Sequence, residues 1–344
     1  MKELNERTRK VLWATIQSYI DLNVPVGSSM VKRRFSFGLS PATIRSTMAG
    51  LENLGYLTQP HISAGRIPTM MGYKYYVDYL LMKNKMNINN VLLHKLHKRL
   101  RGIQKNLNVM VSETSRTLSF YSNCIGIVTP PKAEEKVLKH IRLIKYEKNS
   151  ALSILISEDG TVNNSVVNID SPFTQSQLKK IANYLNDSFA GLTMMEIKKR
   201  ITYQLSREKQ ACNRLISNAL MICKKLIIWE SDNILLEGLT GTSNIPDFVD
   251  IKQIKEVLKT IEDKQLMLKL LNEVDDSKGI QVFVGLETII PSMKKMSMVV
   301  SPYTDNKNAH GTIGIIGPAR MNYKQLIPIV DHTARALTQV LAET

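Results

Sequence analysis

The stretch from Ser40 to Thr69, SPATIRSTMAGLENLGYLTQPHISAGRIPT, constrains this chain more than any other. Ser40 is a natural N-cap, since its hydroxyl can accept from a free amide of the first helical turn. Pro41 suits the first helical position, where a missing N–H costs nothing. Ile44, Met48, Leu51 and Leu54 then recur at helical spacing and predict one apolar stripe that packs the helix on its domain, while Gly55 supplies the left-handed residue that ends it. The other face carries Ala42, Thr43, Arg45, Ser46 and Ala49. Small residues let a backbone approach a partner closely, and an arginine offers a bidentate donor to guanine or phosphate. That is what a helix lying in a DNA major groove requires. Taken alone, the same composition suits an ordinary surface helix, so its neighbours decide.

Those neighbours form a recognisable set. A first helix from Asn5 to about Leu22 has Val11, Leu12, Ala14, Ile16, Tyr19 and Ile20 on one face. Asn23 to Gly27 breaks it. Ser28 is expected to cap a short basic helix, SSMVKRRF, with Met30, Val31 and Phe35 inward and Lys32, Arg33 and Arg34 in water. A turn at Phe37-Gly38-Leu39 leads into the Ser40 helix, and two helices joined in this way make a helix-turn-helix. After Gly55, Tyr56 to Gln59 reads as a strand and Ile67 to Thr69 as its partner, a hairpin beside the helix-turn-helix that reads as a wing. Its tip is expected to present Ser63, Gly65 and Arg66 to a sugar-phosphate backbone, with His61 either contacting DNA or simply solvated.

Charge supports a polyanionic partner at this end. The net charge is +16, yet residues 1–80 hold ten Lys/Arg against five Asp/Glu and residues 81–112 hold seven against none, leaving +4 for everything else. Each phosphate neutralised releases condensed counterions, so a basic end of this kind binds nucleic acid with a steep salt dependence.

The runs PVGSSMVKRRF, LSPATIR, GLENLGYLTQPHISAGRIPT and GYKYYVDYLL, with GTIGIIGPARMNYKQLIPIVDHTARAL near the C-terminus, closely resemble the HrcA family of bacterial repressors of heat-inducible chaperone operons. The chain departs from the family pattern at Ser46, Thr47 and Ile62. The resemblance implies a GAF-like domain interrupted by an inserted dimerising domain, and a repressor that a GroEL-type chaperonin keeps active.

The remainder reads as follows. Gly72 to Lys83 continues as an aromatic-rich helix in which Tyr73, Tyr76, Val77, Leu80 and Leu81 can pack on the first helix. Residues 84–90 form a polar hinge. Leu92, Leu96, Leu100, Ile103, Leu107, Met110, Thr114 and Leu118 then make a long apolar seam, which suits either a dimeric coiled coil or a helix lying on its own domain. β-Rich runs follow at Asn123–Val128, Lys139–Tyr146, Ala151–Ser157 and Val162–Ile169, the last three as a meander. Helices are predicted over Gln175–Asn186, Thr193–Gln204, Arg207–Trp229 and Ile251–Val274, and strands over Asn233–Leu239, Ile280–Leu286, Met296–Tyr303 and Thr312–Ile316. A last helix runs over Tyr323–Leu341.

The expected fold class is therefore α+β and multidomain. Residues 1–83 form a winged helix-turn-helix and 84–131 a linker, long helix and the first part of a GAF-like α/β domain. Residues 132–230 form an inserted α/β dimerisation domain, and 231–344 complete the GAF-like domain.

Several chemistries are not indicated. Cys124, Cys212 and Cys223 form no C-x-x-C pair, and His94 with His97 lacks accompanying metal ligands, so no metal and no cofactor are expected. GTIGIIGPAR lacks the phosphate-loop pattern and reads as a buried strand ending in a turn, and Asp331-His332-Thr333 has no nucleophile motif. With no long apolar run and no signal-like N-terminus, a cytoplasmic protein without membrane contact is expected.

The reading is thus a non-enzymatic, sequence-specific repressor that binds a palindromic operator as a homodimer. Thr43, Arg45 and Ser46 would read bases beside the small Ala42, and Ser40 would set the helix on a phosphate. Lys32 and Arg33 belong to the DNA-binding set, while His61, Ser63, Gly65 and Arg66 hold the wing. One alternative is a small-molecule-sensing winged-helix regulator that uses the GAF-like domain. A second, a nucleic-acid enzyme, would need paired carboxylates or a metal cluster, which the sequence does not display.

Overall fold

The computed structural model describes residues 4–82, 107–131, 136–158, 160, 162–168, 173–207, 222, 235–237, 251–305 and 309–342. The polar hinge, the first half of the long seam with His94 and His97, all but residues 207 and 222 of the helix expected over 207–229, and Cys212 and Cys223 lie outside the described residues. The chain divides into two compact units: residues 1–130, 234–306 and 310–344 make the first, and 131–233 with 307–309 the second.

The first unit begins with α1 (Glu6–Leu22), whose N-cap Asn5 accepts from the Thr8 amide at 2.9 Å and whose left-handed C-cap is Asn23. A short α2 (Ser28–Arg34) follows. Its N-cap is Gly27, with no side-chain bond, so Ser28 is the first helical residue and not the cap expected from sequence. Then come α3 (Pro41–Asn53), a hairpin of β1 (Leu57–Thr58) and β2 (Ile67–Pro68), and α4 (Met70–Met82). The hairpin pairs antiparallel, Leu57 opposite Pro68 and Thr58 opposite Ile67. Val26, ahead of α2, adds a further bridge by exchanging two 2.9 Å backbone bonds with Arg66. Thr69 closes the hairpin: its hydroxyl donates to the Gly55 carbonyl at 2.6 Å and accepts from the Gly72 amide at 3.1 Å.

The same unit continues with α5 (Leu107–Ser122), β3 (Ile125–Val128), β7 (Leu235–Glu237), α8 (Ile251–Glu262), α9 (Lys264–Leu271), β8 (Gln281–Val284), β9 (Met296–Thr304), β10 (His310–Pro318) and α10 (Tyr323–Ala342), these labels following chain order. Five described strands of this unit, β7-β3-β10-β9-β8 in that order, form one antiparallel sheet apart from the β1–β2 hairpin. Val299, Ile313 and Ile315 join a core with α10 on one face, whereas Ile127, Met298, Val300 and Ile316 pack with α8 and α9 on the other. Because both faces are covered, β9 and β10 are buried almost throughout and read as continuous apolar runs. The glycines of GTIGIIGPAR serve that packing: a Cβ at Gly314 would meet the Val299 backbone, and one at Gly317 would lie 2.6 Å from the Cys124 sulfur. The described part of the long seam lies on this sheet, with Met110, Thr114 and Leu118 buried.

The N-terminal helices share a core with the sheet domain. Tyr73 of α4 lies 6.4 Å from Tyr323, and Lys324 stands 5.8 Å over the Trp13 ring. Arg320 donates to the Ile20 carbonyl near the end of α1 at 3.1 Å. Residues 1–83, which the sequence suggests as a domain of their own, thus fall within the larger compact unit.

The second unit holds the meander of β4 (Leu138–Glu147), β5 (Ser150–Ser157) and β6 (Val162–Asn168), followed by α6 (Gln175–Phe189) and α7 (Met194–Arg207). Thr174 and Gln177 form a reciprocal capping box at the start of α6. Ile141, Leu143, Ala151, Leu155 and Val167 face Leu178, Ile181, Leu185 and Ile197 in a separate core.

Candidate nucleic-acid interface

α3 starts as its sequence dictates. The Ser40 hydroxyl accepts from the Thr43 amide at 3.1 Å, which caps the helix, and lies 2.9 Å from the Thr43 hydroxyl, so the two hydroxyls are hydrogen-bonded to each other at the helix start. Thr47 donates to the Thr43 carbonyl at 2.9 Å. Ile44, Met48 and Leu51 are buried against α1 and α2. Leu54 is not: it is 40% exposed, and the expectation that it continues the stripe is corrected. The helix ends at Asn53, the Tyr56 amide bonds the Leu51 carbonyl at 2.9 Å, and Gly55 turns the chain at φ +79°. The helical rotation stops there, so Leu54 swings away from the row set by the preceding turns.

The opposite face of α3 leaves Ala42, Arg45 and Ser46 exposed, with Thr43 half-buried. Lys32 and Arg33 on α2 are exposed as well. Arg34 differs, since it pairs with Asp21 at 2.6 Å. Gln17 donates to the other oxygen of that carboxylate at 2.9 Å and accepts from the Tyr76 hydroxyl at 2.9 Å, which links α4, α1 and α2. Burial first, and the Asp21 charge second, raise the pKa of the Tyr76 phenol and keep it a donor. Below the turn between α2 and α3, Phe35 meets Trp13 edge-on at 5.6 Å and stacks on Phe37 at 5.6 Å. Gln17 and Asp21 were legible only as a polar pair one helical turn apart; their role depends on what α2 and α4 bring to them.

The hairpin redistributes its residues. A Cβ on Gly65 would lie 2.5 Å from the Val26 carbonyl carbon and 2.7 Å from that of Pro25, so this glycine permits backbone to pass against backbone at the base of the hairpin. Arg66 is also at the base, where its Nε pairs with Glu52 of α3 at 2.9 Å and its side chain is 14% exposed. The expectation that Gly65 and Arg66 form the tip is therefore corrected: Arg66 fastens the hairpin to α3. The tip itself is a turn in which the Ala64 amide bonds the His61 carbonyl at 2.9 Å. The Gln59 side chain donates to the Ile62 carbonyl at 2.9 Å and the Ala64 carbonyl at 2.8 Å, and His61, Ile62 and Ser63 are exposed. Sequence reasoning missed Gln59 and Glu52 because their partners lie outside any helical or strand period.

Among the described residues no group of three His, Cys, Asp or Glu side chains could hold a metal ion. A cavity of about 270 Å³ opens between α4 and the sheet edge, lined by Lys74, Val77, Asp78, Phe283, Thr288 and Ile289 among others.

Known proteins share this build over the full length. The chain is 34% identical over 344 residues to a heat-inducible transcription repressor HrcA of Thermodesulfovibrio yellowstonii, with 99% of each chain covered. It is 35% identical over 341 residues to that of Geobacter sulfurreducens, again covering 99% of each. A solved structure described as that of a hypothetical protein has the same fold, with TM-score 0.62, 21% identity and 99% of each chain covered. These relatives make the chain a transcription regulator of α+β build. Residues 108–327 match the model of the HrcA protein C-terminal domain, and the chain belongs to the HrcA family, the heat-inducible repressors of heat-shock transcription.

Proposed function

We propose that α1 to α4 with the hairpin act as a winged helix and that the exposed face of α3 reads an operator in the DNA major groove. The observation that carries this is the division of α3: Ile44, Met48 and Leu51 hold it to the core while Ala42, Arg45 and Ser46 stay in water at its N-terminal half. Arg45 supplies the bidentate donor, Ala42 and Ser46 permit close approach, and exposed Lys32 and Arg33 hold phosphates. Thr43 and Ser40, joined to each other, set the helix start on the backbone, and His61 and Ser63 follow the adjacent strand. The expected result is a shift of a palindromic duplex, selected by the protein from random sequence, and no shift of its scrambled form at physiological salt. Arg45→Ala should weaken binding by about 1–3 kcal/mol. Equal shifts of both duplexes would refute sequence-specific reading.

A palindromic site demands two α3 helices about 34 Å or a multiple apart, hence a two-fold dimer. We assign dimerisation to residues 131–233, an insertion within a GAF-like domain formed by the five-stranded sheet. Behind the packed face of the meander, Ile144, Leu152, Ile154 and Ile156 are only partly buried, and Val162 and Val166 are 59% and 47% exposed. The register aligns Ile144, Leu152 and Val166 in one row and Ile156 with Val162 in another, which makes an apolar surface that a second copy can cover. Ile154→Asp should yield monomers by sedimentation and lose operator binding. A dimer that survives this change refutes the assignment.

Support by a GroEL-type chaperonin belongs to the same reading. The larger unit is assembled from three separated segments of chain, and folding through such nonlocal contacts is slow and exposes apolar surface. Titrating chaperonin and ATP into refolding repressor should raise the fraction able to bind operator, and no gain refutes this part. Action on DNA places the protein in the cytoplasm, and no described helix is long and apolar enough to cross a membrane. The cavity beside α4 favours a second reading, a small-molecule-sensing regulator, which predicts a rise in melting temperature with a ligand that pairs with Lys74 and Asp78.

A further inference from the structure

We propose that Ile62 is an apolar wedge that enters the DNA minor groove next to the major-groove segment read by α3. The inference rests on the operator-reading function above and adds a contact that helix residues cannot make. Ile62 is fully exposed, and it occupies a central position of the turn from His61 to Ala64. Both features run against the fold. A β-branched residue is among the poorer choices for such a turn, and an isoleucine side chain left wholly in water contributes no packing.

The turn is nonetheless built to hold it still. The Gln59 amide clamps the carbonyls of Ile62 and Ala64, and the Ala64 amide closes on His61. The base of the hairpin is fixed to α3 by the Arg66–Glu52 pair and to the segment before α2 by the two bonds with Val26. A rigid tip loses little conformational freedom on binding, and a β-branched side chain has one strongly restricted torsion. The neighbours of Ile62 at the tip, His61 and Ser63, are exposed polar groups suited to sugar and phosphate. The occupant that fits is therefore the floor and sugar walls of a minor groove, where apolar side chains displace water and act on base steps. A·T pairs leave that floor clear, whereas the N2 amino group of guanine projects into it.

The test compares wild type, Ile62→Ser and Ile62→Leu on a duplex that the wild type selects from random sequence. All three should melt at the same temperature, since Ile62 packs on nothing. Ile62→Ser should bind roughly tenfold more weakly, the loss expected for one buried aliphatic side chain, and Ile62→Leu should bind close to wild type. The slope of log K against log salt should not change, because no phosphate contact is removed. Placing G·C pairs at the flank protected by the tip should weaken the wild type, replacing those guanines with inosine should restore it, and Ile62→Ser should be indifferent to both. Equal affinity and equal flank preference for wild type and Ile62→Ser overturn the wedge while leaving the operator reading intact. Unchanged DNA binding with lost chaperonin binding also overturns it and reassigns the tip to a protein contact. A wild type that selects no sequence sinks the operator reading and the wedge together.

Discussion

Replacing Gly65 by alanine tests the hairpin at its most constrained point. The added Cβ would stand 2.5 Å from the Val26 carbonyl carbon, 2.6 Å from its oxygen and 2.7 Å from the Pro25 carbonyl carbon, all backbone atoms. No rotamer change relieves such contacts, so the bridge between Val26 and Arg66 must open. Two backbone hydrogen bonds are then lost, at roughly 1 kcal/mol each net, and the fully buried Val26 is displaced at a further cost of about 1–2 kcal/mol. The sum is about 3–4 kcal/mol, which should lower the melting temperature of the larger unit by roughly 10 °C. Because Arg66 moves with the bridge, its bond to Glu52 and the aim of the tip are lost as well, and operator affinity should fall with stability. Gly50→Ala is the matched control. It lies in α3 with nothing within 4 Å of its Cβ, and the change should stabilise the protein by up to about 1 kcal/mol through helix propensity. Scanning calorimetry and a gel-shift titration on both variants read the result. If Gly65→Ala melts and binds like the wild type, the close approach at the hairpin base is wrong.

Three further outcomes are expected. Ser40→Ala removes the oxygen that caps α3 and should cost about 1 kcal/mol in urea unfolding, with Ser40→Asp restoring most of it. Leu51→Ala should cost about 2–5 kcal/mol whereas Leu54→Ser should be nearly neutral, and comparable losses would restore Leu54 to the packed stripe. Burial pushes the Cys124 thiol from 9.0 up to about 12 against a weaker opposing bond from Ser122, so the folded chain holds this proton when the unfolded chain has released it. Its contribution is full below pH 9 and is lost progressively toward pH 12. In a Cys212→Ser, Cys223→Ser background, Cys124→Ala should flatten the decline of the urea midpoint between pH 9 and 11, and an identical decline would refute this origin.

Much of the candidate interface was legible because its local structure depends on neighbours in the chain. Ser40 and Pro41 start α3, Gly55 ends it, and the spacing of Ile44, Met48 and Leu51 divides its faces, all through bonds and rotations completed within a turn or two. The meander was legible for the same reason, since each strand pairs with the next along the chain. Leu54 misled because periodicity predicts a side-chain direction only while the helix persists.

The sequence by itself determined the α+β class, the start and end of α3, the basic N-terminal third and the family, since composition and local periodicity carry those, whereas the cap of α2 fell to Gly27 and not to Ser28. Tertiary structure decided where Arg66 and Gly65 act, which polar groups brace α2, and that Ile62 rather than Arg66 stands at the hairpin tip. Arg66 looks like a phosphate ligand until Glu52 is brought to it, and Gly65 looks like a flexible tip until Val26 passes beneath it. Only the folded chain supplies those partners, because they come from segments that no local rule places beside the hairpin.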